Sequence, residues 1–153
     1  MYQVLLFTHS WLRWLVLLAL LFAIYRAWFG WKSGGKFGVV DERARYVAMR
    51  LVHLQFLLGL LLYGFSPITR HFLTNFSTAV HMREVRFFGM EHVAVMVVSV
   101  VLITVGAKQV KREEDQKKKF RKMAIWYGIA TLLILSSIPW SFSPLTSRPL
   151  FRS

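Results

Sequence analysis

The chain has 153 residues, of which 56% are hydrophobic and 16% aromatic, which makes it more apolar than a soluble domain of that length. It carries 20 Lys and Arg against 7 Asp and Glu, a formal net charge of +13, and it has no cysteine. Disulfides, iron–sulfur clusters and thiolate zinc sites are therefore excluded. The Lys and Arg residues lie in short segments between apolar stretches, a pattern that indicates membrane topology rather than binding to nucleic acid.

Four apolar stretches, the last of them the shortest, are candidates for helices of the roughly 20 residues needed to cross about 30 Å of hydrocarbon. They are predicted at about 4–29, 46–65, 87–107 and 123–138. The first lacks the basic n-region and the small-residue cleavage site of a secretory signal peptide, so we expect it to remain in the mature protein. The sequence therefore predicts an all-α fold, a single polytopic membrane domain over 1–153 built as a bundle of four transmembrane helices in contact with membrane lipids.

The connections between the predicted spans differ strongly in basic residues. Residues 30–45 and 108–122 together contain twelve Lys and Arg, whereas residues 66–86 contain three, the C-terminal tail contains Arg148 and Arg152, and the N-terminus contains none. Lys and Arg are retained preferentially on the cytoplasmic side of a membrane. We therefore expect a multi-pass protein of the bacterial inner membrane with the first and third connections in the cytoplasm and both termini outside, in the periplasm.

Two of the connections have a helical character of their own. Ser66 followed by Pro67 is typical of a helix N-cap and first helical position. Apolar residues then recur every four positions from Ile68 to Val80, which favours either a short amphipathic helix over 67–82 on the outer surface or an irregular loop. Segment 108–122 is predicted to be a solvated helical extension or turn, with a docking site for lipid headgroups or a partner as the alternative.

Ionisable side chains within the predicted spans give the best indication of function. Charges are costly inside a bilayer and usually face the interior of a helix bundle. The first three spans contain, in chain order, His9, Arg13, Arg50, His53, Gln55, Glu91 and His92. The fourth contains only Thr131, Ser136 and Ser137. The fourth helix is therefore predicted to contribute packing alone.

The depths of the three histidines favour one pair. At about 1.5 Å per residue, His92 lies about 7–8 Å below the outer boundary, His9 lies within about 8 Å of it, and His53 lies about 10 Å deeper. Imidazoles at one level on facing helices can ligate haem iron from both sides. The sequence thus favours His9 with His92 as ligands of a haem iron, with His53 as an alternative ligand. The simpler interpretation is that these histidines only hydrogen-bond across helices.

Two further polar residues have alternative interpretations. Arg13 lies one turn below His9 on the same helix face, where it would pair with Glu91, hold a haem propionate or extend to the outer headgroups. Gln55 would either hydrogen-bond to a neighbouring helix or contact a quinone head. The sequence contains no nucleophile elbow, phosphate loop or HExxH motif, so it identifies no catalytic residue.

Four segments resemble a family of small four-span membrane proteins of Bacteroidetes-type bacteria that is labelled cytochrome B. They are HSWLRWLV at 9–16, HLQFLLG at 53–59 continuing to Tyr63, Ser66 and Pro67, the stretch from FFG at 87–89 through His92 to ITVG at 103–106, and the ending from IPW at 138–140 through SPL at 143–145 to Arg148 and Pro149. The resemblance covers nearly the whole chain. It implies haem b and electron transfer, and it highlights His9, His53 and His92.

Three functions are compatible with these features. The first is a b-type cytochrome that transfers electrons through haem, with quinone as a candidate partner. The second is a non-catalytic accessory subunit, held to other subunits of a larger respiratory membrane complex by its polar residues. The third is a transporter or proton relay that uses Arg13, Glu91 and the histidines.

Overall fold

The computed structural model describes residues 1–140, and within this range every regular element is helical. The arginines at 148 and 152 and the resembling residues at 143–149 lie outside the described residues. The helices are α1 (Tyr2–Ser33), α2 (Val39–Phe65), α3 (Pro67–Thr74), α4 (Phe76–Ala79), α5 (Arg83–Arg86), a π-helical segment (Phe87–Glu91), α6 (His92–Arg112) and α7 (Gln116–Ser136). The predicted all-α fold is thus confirmed.

Three helices are long and apolar enough to cross a membrane: α1, α2, and the continuous helix from Arg83 to Arg112 that ends with α6. This supports a membrane protein, but the described residues show three such helices and not the four that the sequence predicts. The reason lies in the first turns of α7, where residues 117–122 include five Lys and Arg. The apolar remainder, 123–136, is about 21 Å long, which is less than the hydrocarbon thickness of about 30 Å.

The four long helices form a ring in which α1 packs against α2 and α7, and α6 packs against the same two helices. Consecutive long helices run antiparallel. The contact between Arg26 and Asp41 joins the end of α1 to the start of α2, and the contact between His92 and Ser137 joins the start of α6 to the end of α7. This is the up-down arrangement of a four-helix bundle. Helices α1 and α6 therefore face each other diagonally across the bundle.

Small residues allow the helices to approach closely at the end of the bundle away from the N-terminus. Ala23, Ala27, Ala48, Ala107 and Ala130 are almost completely buried along the inner faces. A Cβ atom at Gly30 would collide with the ring of Phe120, and one at Gly106 would collide with Trp126. Close backbone approach through small residues is the usual means by which membrane helices associate. This half of the bundle is therefore densely packed.

The first connection is shorter than the sequence predicts, because α2 begins at Val39 rather than near residue 46. Polar residues 41–45 belong to the helix. The Asp41 carboxylate accepts a hydrogen bond from the amide of Gly38 (2.9 Å) and pairs with Arg26 (2.8 Å). Arg45 pairs with Glu42 and donates to the carbonyl of Ala107 (3.0 Å), while its own carbonyl accepts from the hydroxyl of Tyr127 (2.8 Å). These contacts draw charged residues into the bundle, where the sequence suggested a loop.

The segment after α2 is only partly as predicted. The hydroxyl oxygen of Ser66 accepts a hydrogen bond from the amide of Thr69 at 3.4 Å, which confirms the N-cap. Of the two alternatives for 67–82, an amphipathic helix or an irregular loop, the structure shows neither in full, since α3 ends at Thr74 and the short helix α4 follows. Asn75 separates the two helices: its backbone leaves the helical region, with φ −129° and ψ 42°.

The turn between α6 and α7 is short and polar, as the sequence predicts for 108–122. Asp115 caps α7 by accepting a hydrogen bond from the amide of Lys118 at 2.7 Å. The carboxylate of Glu113 pairs with the ammonium group of Lys122 at 2.7 Å. This hydrogen bond, together with donation from the amides of Asp115 and Glu114, lowers the pKa of Glu113 below its ordinary value.

Replacing Lys122 with methionine should raise the pKa of Glu113 towards its ordinary value of 4.5. Because the pKa of Glu113 is lower in the folded than in the unfolded protein, its ion pair stabilises the fold at pH values above the unfolded pKa. This stabilisation is lost as the pH falls through the lower, folded-state pKa. An NMR titration of the Glu113 carboxyl group measures the change. Lys118→Met on the same turn is the control and should leave the titration unaltered, whereas an unchanged titration in Lys122→Met would contradict the assignment.

Candidate functional site

A cavity of about 170 Å³ lies inside the bundle near the start of α1 and the end of α2. Its wall is mostly apolar, and α3 contributes Ile68 and Thr69 to it. The polar side chains in the wall include His9, Arg13, Gln55, Tyr63, Ser99 and His92. An apolar cavity with a few convergent polar groups is the usual form of a cofactor or ligand site.

The structure brings His9 and His92 to this one cavity, in agreement with the depth comparison from the sequence. His9 lies on α1 and His92 begins α6, the two helices that face each other diagonally. The side chains therefore approach the cavity from opposite sides of the bundle. This is the arrangement in which two imidazoles can ligate one haem iron.

His53 is not part of this cavity. Its Nε2 atom lies 2.8 Å from the hydroxyl oxygen of Thr104, and that hydroxyl donates its proton to the carbonyl of Val100 at 2.7 Å. Nε2 of His53 is therefore the protonated nitrogen and donates to Thr104. Thr104 is twelve residues after His92, about 18 Å along the helix axis. The structure does not bring His53, the alternative ligand that the sequence suggested, to the other two histidines.

The imidazole of His92 is fixed by a hydrogen bond to α7. Its Nδ1 atom lies 2.8 Å from the backbone carbonyl oxygen of Ser137 and 3.3 Å from the hydroxyl oxygen of the same residue. A carbonyl oxygen can only accept, so Nδ1 carries the proton and donates it. Nε2 is left with its lone pair. A histidine that ligates a metal characteristically has its other ring nitrogen held in this way.

The carbonyl of Ser137 is available because α7 ends there. The last carbonyl groups of a helix have no partner within the helix. Pro139 follows two residues later and cannot donate a backbone hydrogen bond. The expectation that the fourth helix contributes packing alone is thus wrong, since its C-terminal end orients His92. The sequence signal was the proline after an apolar helix, which predicts a free carbonyl at that level.

A π-helical segment from Phe87 to Glu91 directly precedes His92, and the sequence did not predict it. Such segments insert an extra residue into a helix and occur often at functional sites. Here the carbonyl of Gly89 accepts a hydrogen bond from the hydroxyl of Tyr63 at 2.8 Å. The ring of Phe87, almost completely buried, lies 5.7 Å from the imidazole of His92 between centroids. These contacts fix the helix turn that carries His92.

His9 is held differently, by packing against α2. The side-chain amide of Gln55 donates to the backbone carbonyl of His9 at 2.9 Å, which confirms a hydrogen bond from Gln55 to a neighbouring helix. One turn further on, a Cβ atom at Gly59 would lie 3.2 Å from Cε1 of His9 and 3.7 Å from its Nδ1. The absence of a side chain at Gly59 therefore makes room for the imidazole.

Two buried polar atoms in this region have no hydrogen-bond partner among the described residues: Nδ1 of His9 and Oε1 of Gln55. Buried polar atoms are almost always paired in folded proteins. Both side chains belong to the wall of the cavity. Both atoms are therefore available to a molecule that enters the cavity.

Arg13 also contributes to the wall of the cavity, and its guanidinium carbon lies 5.2 Å from the ring centroid of Trp14. The carboxylate of Glu91, one of the partners that the sequence suggested for Arg13, accepts a hydrogen bond from Arg86 at 2.7 Å. Arg86 lies five residues before Glu91, across the π-helical segment. Arg13 lines the same cavity as the two histidines.

The residues of the cavity fit a haem better than a bare metal ion. Within residues 1–140, no group of three or more His, Asp or Glu side chains could hold a metal ion. A haem iron needs only two ligands from the protein, because the porphyrin supplies four and two imidazoles complete the coordination. An arginine and an apolar wall suit its propionates and its ring, respectively.

Comparison of the chain with models of protein families, with curated proteins and with solved structures found no match. The resemblance to the family labelled cytochrome B consequently stays a prediction from the segments quoted above. The cavity, its two histidines and their hydrogen bonds are the observations on which a function can be proposed.

Proposed function

We propose that this protein is a b-type cytochrome of the bacterial inner membrane that holds haem b between His9 and His92 and transfers electrons. In this proposal all four long helices cross the bilayer, with both termini in the periplasm and the basic segment 108–122, which contains the turn between α6 and α7, in the cytoplasm. The packing of α7 into the same ring as the three long apolar helices supports its insertion. The excess of Lys and Arg in segment 108–122 supports the orientation.

The observation that carries the proposal is the placement of two imidazoles on diagonal helices at one cavity, with Nδ1 of His92 already donating to a backbone carbonyl. That hydrogen bond directs the lone pair of Nε2 away from α7 and raises its basicity. His9 supplies the second imidazole, and Arg13 would bind a propionate through charge-assisted hydrogen bonds. The rest of the cavity wall is mostly apolar. When bound, haem supplies one-electron transfer at its iron.

We propose a quinone as the electron-transfer partner. A quinone dissolves in the bilayer and could reach an intramembrane site from the side. Oε1 of Gln55, buried and without a partner among the described residues, can accept a hydrogen bond from the hydroxyl group of a quinol. This amide oxygen supports a quinone contact for Gln55, beside the confirmed hydrogen bond of its nitrogen.

The optical spectrum of protein purified from cells supplied with ample haem tests the proposal. The wild type should show a Soret band and, after reduction, separate α and β bands. His53→Ala is the matched control, because His53 donates to Thr104 outside the cavity, and its spectrum should equal that of the wild type. A colourless wild type would contradict the proposed function.

A further inference from the structure

The two histidines at the cavity are held by different means. Nδ1 of His92 donates to the carbonyl of Ser137, and the rings of Phe87 and Phe88 lie 5.7 and 6.3 Å from its imidazole. The imidazole of His9 has no such hydrogen bond, since its Nδ1 is buried without a partner among the described residues. His92 is therefore fixed in one tautomer, whereas no hydrogen bond at Nδ1 selects the tautomer of His9.

The backbone next to each histidine is also held differently. His92 follows a π-helical segment that Tyr63 ties to α2 through the carbonyl of Gly89. His9 lies in the second turn of α1, whose start at Tyr2 has no side-chain cap. Helix ends without a cap fray more readily than interior turns. At this level the hydrogen bond from Gln55 to the carbonyl of His9 ties α1 to α2.

We infer that His92 is the permanent axial ligand, positioned by the backbone carbonyl of Ser137, and that His9 is a displaceable ligand whose place a small neutral molecule can take. The inference rests on the proposed function and adds to it a second property, the binding of an external ligand at the iron. The molecules suited to the position are small π-acceptors or nitrogen donors, such as carbon monoxide or imidazole. The imidazole of His9 packs against the backbone at Gly59 without a hydrogen bond at its Nδ1 atom.

The first test uses haem-free protein and does not depend on the cofactor. Nitrogen-15 NMR of the histidine rings should show His92 as a single tautomer protonated at Nδ1, with slow exchange of that proton. His9 should show averaging between its two tautomers. A fixed tautomer at His9, or averaging at His92, would overturn the assignment of Ser137 as the positioning group.

The second test compares two variants loaded with haem, after circular dichroism has established that each retains its helices. His9→Ala should keep haem, become five-coordinate and bind carbon monoxide when reduced. His92→Ala should bind haem at least about tenfold more weakly than the wild type. Imidazole added to His9→Ala should restore a six-coordinate spectrum.

The outcomes separate the two proposals. Retention of haem by His92→Ala together with its loss from His9→Ala would overturn the inference but leave the proposed function standing. A wild type that binds no haem would overturn both. Equal weakening in the two variants would also overturn the inference, because it would make the ligands equivalent.

Discussion

Replacing Gly59 with leucine should weaken haem binding strongly while the bundle stays folded. A Cβ atom at this position already lies 3.2 Å from Cε1 of His9, so the three further carbon atoms of leucine would occupy the space of the imidazole or of the cavity beside it. Overpacking of this kind costs about 1–3 kcal/mol. Because the leucine would fill part of the cavity, haem affinity should fall about tenfold for each 1.4 kcal/mol of binding free energy lost. Haem titration followed by absorbance measures the effect.

Gly64 provides the matched control on the same helix. Nothing lies within 4 Å of the position that a Cβ atom would take there, and the residue is exposed. Gly64→Leu should therefore bind haem as the wild type does. Equal affinity in Gly59→Leu and wild type would show that the cavity beside His9 is not the binding site.

Replacing Gly89 with alanine should destabilise the protein markedly for so small a change. The new Cβ atom would collide with Phe72, whose Cβ would lie only 2.7 Å away, so α3 and the π-helical segment could not both keep their positions. Phe72 is almost completely buried and cannot rotate away freely. We expect a loss of about 1–3 kcal/mol. For a chain of this size that is a fall in melting temperature of about 2–4 °C per kcal/mol.

Thermal unfolding in detergent, followed by circular dichroism, measures this loss. Gly128→Ala on α7 is the control, since nothing lies within 4 Å of the position that its Cβ atom would take. That variant should be as stable as the wild type or more stable by up to about 1 kcal/mol, because alanine favours helix. Unchanged melting of Gly89→Ala would contradict the close contact of α3 with the segment that carries His92.

The sequence predicted the histidine pair because depth in a membrane helix follows from counting residues. His9 and His92 are both a few residues from the same boundary, and the structure places both at one cavity. The same count put His53 deeper, and its partner Thr104 is indeed far from His92 along α6. Such comparisons work because regular helices have a fixed rise per residue.

The contacts that orient these residues could not be predicted in the same way. The hydrogen bond from His92 to Ser137 joins residues 45 positions apart and depends on where α7 ends. The pair of Arg86 with Glu91 depends on the π-helical segment, which changes the angular position of every residue after it. Hydrophobicity does not encode an extra residue in a helix turn. Pairings across the bundle therefore required the structure.

The helix boundaries were predicted poorly where charges were taken to mark loops. The sequence placed the start of the second span near Tyr46, but α2 begins at Val39 with Asp41 and Arg45 inside the bundle. Their partners, Arg26 and the carbonyl of Ala107, come from other helices. A charged residue at a helix end is buried when neighbouring helices satisfy it, and the local sequence does not show those neighbours.

Haem titration of purified, haem-free protein tests the central claim most directly, with the wild type compared against a variant in which both His9 and His92 are alanine. We predict saturable binding with a six-coordinate spectrum in the wild type and no saturable binding in the double variant. Circular dichroism should show the same helix content in both proteins. Haem binding of equal affinity and equal spectrum in the double variant would contradict the assignment of these two histidines as the ligands.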